Sequence, residues 1–128
     1  MKEKFQELYE TLKIDRNKSA WSKKNDFKQR IEELSSEIEE IKQAIEKNDT
    51  ENLREELGDA LWDLLFLIII AEEKKLFTGK EVISETIEKL KRRKPWIFNG
   101  EKVSVEEEIK RWNKTKILEK QNKVQRIK

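Results

Sequence analysis

The sequence predicts an all-α fold, an antiparallel helical bundle of about five helices. The central stretch, residues 53–71, is apolar on every side of a helical turn from Ala60 onward except at Asp63. A helix without a polar face belongs inside a bundle. Charged residues make up 44% of the chain and hydrophobic residues 35%, but the hydrophobic residues are clustered, which favours a folded helical domain over disorder.

Length and composition limit the class of protein. A chain of 128 residues suits one domain with a modest core, so we predict a single helical domain over residues 1–128. The net charge of +2 requires neither nucleic acid nor an anionic membrane as a partner, and residues 60–71 are too few for a bilayer span of about 20. Without Cys and without a signal-peptide pattern, the expected compartment is the cytoplasm. Without His, any chemistry must use carboxylates, Lys, Arg or a bound metal.

The first predicted helix covers residues 1–13, and a polar connector follows over residues 15–25. Four apolar residues of the helix fall on one stripe: Phe5, Leu8, Tyr9 and Leu12. We therefore assign residues 1–19 to the N-terminal helix and the start of its connector. The connector contains one aromatic residue, Trp21, which is either a packing anchor or a surface for stacking a base.

A second helix is predicted from about Asp26 to Lys47. Its apolar residues follow a helical period: Ile31, Leu34, Ile38, Ile41 and Ile45. Residues 48–50, Asn-Asp-Thr, then break the helix, because Asn tolerates a left-handed C-cap and Asp or Thr can cap the next helix. A break this short joins antiparallel neighbours.

This hairpin brings four carboxylates to matched levels. Residues equally distant from Asn48 lie at the same height, because both helices rise about 1.5 Å per residue. Glu40 is level with Glu56, and Glu37 with Asp59. Four converging carboxylates form an oxygen-rich cage suited to Mg²⁺ or Mn²⁺.

The alternative is that these acids merely line a solvated face. With 27 acidic residues in the chain, the same spacing arises by chance, and Glu40 is turned away from the centre of its own apolar stripe. Gly58 favours the site, since a glycine inside a helix costs about 1 kcal/mol and suggests close approach by a neighbour or ligand. Asp63 is either a further ligand or a buried, water-bridged acid, and we favour the second.

The C-terminal part supplies cations. A capping box over residues 78–81 starts a helix near Gly79 that stops before Pro95. Its last residues are basic, which either only complements the helix dipole or forms a phosphate clamp through Arg92 or Arg93.

The last predicted helix follows a turn over residues 96–100 and a capping box from Ser104 to Glu107. Trp112 and Lys116 share one face of it. They either pack a base and hold a phosphate, or form a core Trp beside a snorkelling Lys. We predict that the basic tail, residues 120–128, frays.

Several segments together resemble one family. Glu37-x-x-Glu40, followed by Glu56-Leu57-Gly58-Asp59 and an apolar helix, is similar to the ExxE…ExxD signature of the MazG nucleoside triphosphate pyrophosphohydrolases. The resemblance covers most of the chain. Three further segments match the family's pattern: Ala20-Trp21 its Pro-Trp, residues 91–98 its Arg-Arg-His-Pro-His-Val-Phe, and Arg111-Trp112 with Lys116 and Glu119 its closing segment. The chain departs from the pattern at Ser36, where a Glu is frequent, and at Lys94, where a His is frequent.

The resemblance implies a domain that dimerises, or pairs dimers into a tetramer, so that two chains close the pocket and complete the core. It implies hydrolysis of (deoxy)nucleoside triphosphates to monophosphate and pyrophosphate, a reaction suited to nucleotide-pool cleaning. The implied ligands of Mg²⁺, with Mn²⁺ as an alternative, are Glu37, Glu40, Glu56 and Asp59, one of which could accept a proton from the attacking water. The implied nucleotide contacts are Arg92, Arg93 and Lys116 for phosphates and Trp21 or Trp112 for the base.

Two other interpretations stay open. Related all-α pyrophosphatases specific for dUTP, dCTP or phosphoribosyl-ATP share the acidic cage. Outside enzymes, the chain could be a non-catalytic helical dimerisation module with incidental acids.

Overall fold

A computed structural model of the chain describes the backbone of residues 1–127 and the side chains of residues 1–124. Within that range the regular elements are all helices, seven in number: α1 (Lys2–Lys18), α2 (Ala20–Lys24), α3 (Phe27–Glu46), α4 (Thr50–Glu73), α5 (Gly79–Arg93), α6 (Trp96–Asn99) and α7 (Val105–Ile127). The all-α prediction is confirmed. The chain forms two compact units, Met1–Gly79 and Lys80–Lys128, and each is described by itself.

Two short helices explain why seven are found where about five were predicted. α2 lies in the predicted polar connector, where the Ser19 hydroxyl caps it by accepting from the Ser22 N–H at 3.2 Å. α6 replaces the predicted turn after Pro95 and ends at Gly100, whose φ of 79° is left-handed. Two boundaries were also wrong: α1 continues past residue 13 to Lys18, and α7 continues through the predicted frayed tail to Ile127.

The predicted hairpin of α3 and α4 is confirmed. Asp26 and Gln29 form a capping box at the start of α3. Asn48 adopts a left-handed φ of 56°, and the Asp49 side chain accepts from the Asn52 N–H at 3.1 Å to cap α4. This three-residue reversal sets the register in which the two helices pack.

The buried face of α3 is not the predicted one. Ile31, Ile38 and Ile45 are half exposed, whereas Arg30 and Ala44 are buried. The face that packs on α4 is therefore turned by about 80° from the centre of the apolar stripe, at 3.6 residues per turn. α4 likewise leaves part of its apolar surface open, at Leu57, Leu61 and Leu64. The described chain therefore covers these apolar surfaces only in part.

The first unit is completed by α1. The predicted stripe packs on the second half of α4 in a cluster of buried and partly buried residues: Leu12, Leu65, Ile69, Phe5, Leu8, Tyr9 and Ile68. Glu72 at the end of α4 accepts the Tyr9 hydroxyl and, at 2.9 Å, the Gly79 N–H that begins α5. In the second unit, Trp96 is buried and donates to Glu108 at 2.6 Å. No helix in the described part of the chain combines the length and apolarity needed to span a membrane.

Candidate active site

Three of the four predicted ligands meet on the hairpin. One carboxylate oxygen from each of Glu37, Glu56 and Asp59 lies within 4.8 Å of the other two. α3 contributes Glu37, and α4 contributes the other two residues one turn apart. The register about Asn48 produces this cluster, because α3 turns Glu37 towards α4.

The cluster leaves two oxygens without hydrogen bonds. Oε2 of Glu37 and Oε2 of Glu56 are buried and have no partner among the described residues. Glu56 is only 8% exposed. Buried polar atoms are rarely left unpaired, and buried carboxylates need a counter-charge. The charge of the cluster therefore requires a cation or a proton to balance it.

The raised pKa values of Glu37 and Glu56 indicate the same need for a proton or a cation. A hydrogen bond with Glu37 raises the pKa of Glu56, and desolvation and the charges of Glu37 and Asp59 add to it. For Glu37, the hydrogen bond with Glu56 favours the charged form, but desolvation and the charges of Glu40 and Asp59 outweigh it and raise the pKa. The cluster thus attracts a proton when no cation is bound.

Glu40 lies at the edge of this cluster. It is exposed, and it is not part of the three-oxygen group. A hydrogen bond with Glu56 and repulsion by the Glu56 carboxylate raise the pKa of Glu40, which shows that the two side chains interact. The turned face of α3 explains the difference, because it places Glu37 near the centre of the contact with α4 and Glu40 at its margin.

The donor set fits a hard divalent cation. All the converging atoms are carboxylate oxygens, which Mg²⁺ and Mn²⁺ prefer, and two of them lack any other partner. The four acids could hold such an ion between α3 and α4.

Asp63 is buried, but its partner was missed. Arg30 Nη1 donates to Asp63 Oδ1 at 3.1 Å, with the two side chains 3% and 7% exposed. We predicted a water-bridged acid, and the structure shows an ion pair instead. Desolvation raises the pKa of Asp63, and Arg30 opposes that rise. The register about Asn48 could have revealed this partner. It places Arg30 of α3 level with Phe66 of α4, and the Phe66 ring lies 4.6 Å from the Arg30 guanidinium carbon.

At two other positions in this unit the structure excludes one of the two expected roles. A Cβ added at Gly58 would meet no atom within 4 Å, so this glycine does not mark close approach by a neighbour in the chain. Trp21 is 60% exposed and is not a buried packing anchor. Its ring instead lies 4.7 Å from the guanidinium carbon of Arg30.

The predicted nucleotide contacts of the second unit meet at a cleft between α5 and α7. The cleft has a volume of about 510 Å³ and eight lining residues: Lys89, Arg92, Arg93, Lys116, Glu119, Lys120, Asn122 and Lys123. Six of the eight are cations and one is an acid. Trp112 lies beside it, with its ring 4.9 Å from the guanidinium carbon of Arg93.

Glu119 accepts hydrogen bonds from both arginines of the cleft, Arg92 and Arg93. It accepts from Arg92 and, in a forked pair, from Nε and Nη2 of Arg93 at 3.2 and 2.8 Å. The bonds from Arg93 and Arg92 lower the pKa of Glu119 to about 2. The cleft keeps a strong positive charge, which favours anions such as phosphates.

Comparison with known proteins agrees with this arrangement. The MazG nucleotide pyrophosphohydrolase domain model matches residues 25–98, which include the four acids. A crystal structure of a mazG-related protein from Thermotoga maritima superposes with a TM-score of 0.81 and 37% identity, covering 87% of this chain and 97% of that one.

Two curated relatives are nucleoside triphosphate pyrophosphohydrolases by name. The Mycobacterium tuberculosis protein is 36% identical over 92 residues, 70% of this chain and 28% of that protein. The Escherichia coli K12 protein is 29% identical over 119 residues, 92% of this chain and 45% of that protein. The chain thus spans less than half the length of either relative. The matched domain, the shared fold and the acidic hairpin together establish that this chain belongs to the MazG nucleotide pyrophosphohydrolase family.

Proposed function

We propose that this chain is a Mg²⁺-dependent nucleoside triphosphate pyrophosphohydrolase, which converts (deoxy)nucleoside triphosphates to monophosphates and pyrophosphate and can thereby clean nucleotide pools. The observation that carries the proposal is the cluster of Glu37, Glu56 and Asp59 with its two unpartnered buried oxygens. The family membership and the names of its curated relatives support the same reaction.

The four acids supply the site for the metal. Glu37, Glu56 and Asp59 would hold Mg²⁺, or Mn²⁺, and Glu40 would complete the set from the margin. A bound divalent ion neutralises phosphate charge and lowers the pKa of a water for attack. One of the four carboxylates would then accept the proton of that water.

The cleft of the second unit supplies charges for the phosphates. Arg92, Arg93 and Lys116 line it and would neutralise the triphosphate. Trp21 or Trp112 would pack the base, since each is an aromatic ring with a guanidinium stacked on it.

Open apolar surface supports a homodimer, or a tetramer of paired dimers. Six large aliphatic residues of the hairpin are at least one-third exposed: Ile31, Ile38, Ile45, Leu57, Leu61 and Leu64. Together they form an apolar flank, and contiguous apolar surface of this kind marks an interaction site. A second copy that packs on this flank would complete the core.

The test is product analysis with a panel of triphosphates and Mg²⁺. We expect pyrophosphate and monophosphate in equal amounts. Glu56→Gln and Asp59→Asn should each abolish turnover while the circular dichroism of the fold is retained, and Glu85→Gln, on an exposed face of α5, is the matched control that should keep it. Release of orthophosphate would contradict the proposal. Activity that survives both site substitutions would favour a non-catalytic dimerisation module with a contaminating enzyme.

The same panel separates the substrate classes. Turnover confined to dUTP, dCTP or phosphoribosyl-ATP would identify a base-specific pyrophosphatase that uses the same acids. Turnover of several bases would identify a general one.

A further inference from the structure

Trp21 is an exposed aromatic ring on a support that is buried. The residue itself is 60% exposed, yet its neighbours Ser22 and Asn25 are 1% and 8% exposed. Its ring lies 4.7 Å from the Arg30 guanidinium, which covers one side and leaves the remaining surface open.

Hydrogen bonds fix the backbone that carries this ring. The Asn25 amide donates to the Trp21 carbonyl at 2.8 Å, and the Ser22 hydroxyl donates to Asp15. Arg16 donates to the carbonyls of Ser22 and, at 2.8 Å, of Asn25. The five-residue helix α2 is therefore held from both sides, although it belongs to a polar connector.

Arg30 holds the ring from below. Its guanidinium lies between the rings of Trp21 and Phe66, at 4.7 and 4.6 Å. It also donates to Asp63 and, at 3.3 Å, to the Asn25 side chain. Its Nε is buried without a partner among the described residues. An ion pair is a costly way to fill a core, and an unpaired donor makes it costlier, so a role beyond stability is indicated.

This support belongs to the same hairpin as the acidic cluster. Arg30 is two turns before Glu37 on α3, a separation of about 10 Å along the helix axis at 1.5 Å per residue. Asp63 is one turn beyond Asp59 on α4. The stacked ring and the carboxylates are thus neighbouring parts of one rigid pair of helices.

We infer that Arg30 is a positioning residue that holds Trp21 as a stacking platform for the base of a nucleoside triphosphate. The inference rests on the proposed function for its substrate class. A flat ring fixed in advance loses little freedom when a base stacks on it, and such a stack contributes affinity whichever base is present. Arg suits the role because its planar guanidinium can stack on two rings while it donates in the plane to two acceptors.

The test compares a ligand that has a base with one that has none. Calorimetry with Mg²⁺ would measure the Kd of the α,β-methylene analogue of ATP, whose α–β bridge resists hydrolysis, and of inorganic tripolyphosphate. For Trp21→Ala we expect the Kd of the analogue to rise roughly 5- to 150-fold, the equivalent of about 1–3 kcal/mol for one base stack. The Kd of tripolyphosphate should stay within twofold, and Trp21→Phe should restore most of the loss.

Arg30→Lys tests the positioning role. This substitution keeps a positive charge opposite Asp63, but lysine cannot stack on the two rings or donate to two acceptors at once. The ATP analogue should therefore bind several-fold more weakly, whereas the affinity for tripolyphosphate should be unchanged. In turnover assays the loss should appear in KM, with kcat within about twofold. Trp62→Ala is the matched control, because Trp62 is an exposed Trp of α4 outside this cluster, and its two Kd values should equal those of the native chain.

Each other outcome overturns a defined part of the inference. If Trp21→Ala weakens both ligands equally, or neither, Trp21 is not a base platform. If Trp21→Ala weakens the analogue but Arg30→Lys, shown by its melting curve to be folded, does not, Arg30 has no positioning role. If the native chain binds the analogue but releases no pyrophosphate from any triphosphate, the proposed reaction fails while the platform is still judged by the two Kd values.

Discussion

Removing the buried cation at position 30 should destabilise the protein far more than removing an exposed one. Arg30→Met leaves Asp63 without a partner at 5% exposure. Breaking a buried pair from one side costs about 3–5 kcal/mol. An unfolding entropy of about 2.1 cal/mol/K per residue gives a chain of 128 residues a shift of roughly 4 °C per kcal/mol, so Tm should fall by roughly 11–19 °C.

A double variant distinguishes the cost of leaving the Asp63 charge unpaired from the cost of lost packing at Arg30. Arg30→Met combined with Asp63→Leu removes both charges and should unfold within about 1–2 kcal/mol of the native chain, because apolar residues of similar volume replace buried pairs well. The assay is urea unfolding at one fixed protein concentration. Arg111→Met is the control: its partners Glu101 and Glu107 are 46% and 44% exposed, and each exposed pair contributes about 0–1 kcal/mol. A loss below about 1 kcal/mol for Arg30→Met, or an equal loss in the double variant, would refute the reasoning.

Three further predictions concern the cluster, the cleft and the apolar flank. The raised pKa values of Glu37, Glu40 and Glu56 mean that the metal-free fold binds protons more tightly than the unfolded chain, so its stability falls as pH rises above about 4.5. Mg²⁺ or Mn²⁺ should therefore raise Tm more at pH 7.5 than at pH 5, and a shift that is equal at both would contradict this. The pKa of Glu119, lowered to about 2, predicts the opposite sign: the stability that it contributes is complete above about pH 4.5 and is lost as pH falls towards 2, a loss that Glu119→Gln should abolish in acid titrations of Tm. Ile38→Glu should shift the sedimentation coefficient to that of a monomer and Ile14→Glu should not, whereas a native chain that is already monomeric would contradict the proposed assembly.

The sequence predicted the hairpin well because one local signal determines it. Asn48 adopts the left-handed conformation that its side chain tolerates, and a three-residue reversal leaves one register for two antiparallel helices. Numbering about Asn48 was then enough to place Glu37 opposite α4. Turn chemistry and helix rise set the level at which the acids meet, whereas the rotation of α3 decides that Glu37 joins the cluster and Glu40 stays at its margin.

The sequence did not predict how α3 is turned about its own axis. Its apolar stripe is wider than one contact, so Ile31 and Ile38 could face either α4 or an outside partner, and periodicity does not separate the two. Arg30 was missed for a related reason. A cation at the edge of an apolar stripe looks like part of the polar face until the rings of Trp21 and Phe66 are known to enclose it.

The flank of α3 has a consequence for thermodynamics. Glu37 and Ile38 are consecutive residues of that helix, one in the cation cluster and the other on the open apolar side. A cation that orders this turn by binding Glu37 also orders Ile38 for self-association. Such coupling is reciprocal, so a second chain that packs on Ile38 also orders Glu37. A cation should therefore tighten self-association, and dilution of the protein should weaken its hold on the cation by the same factor.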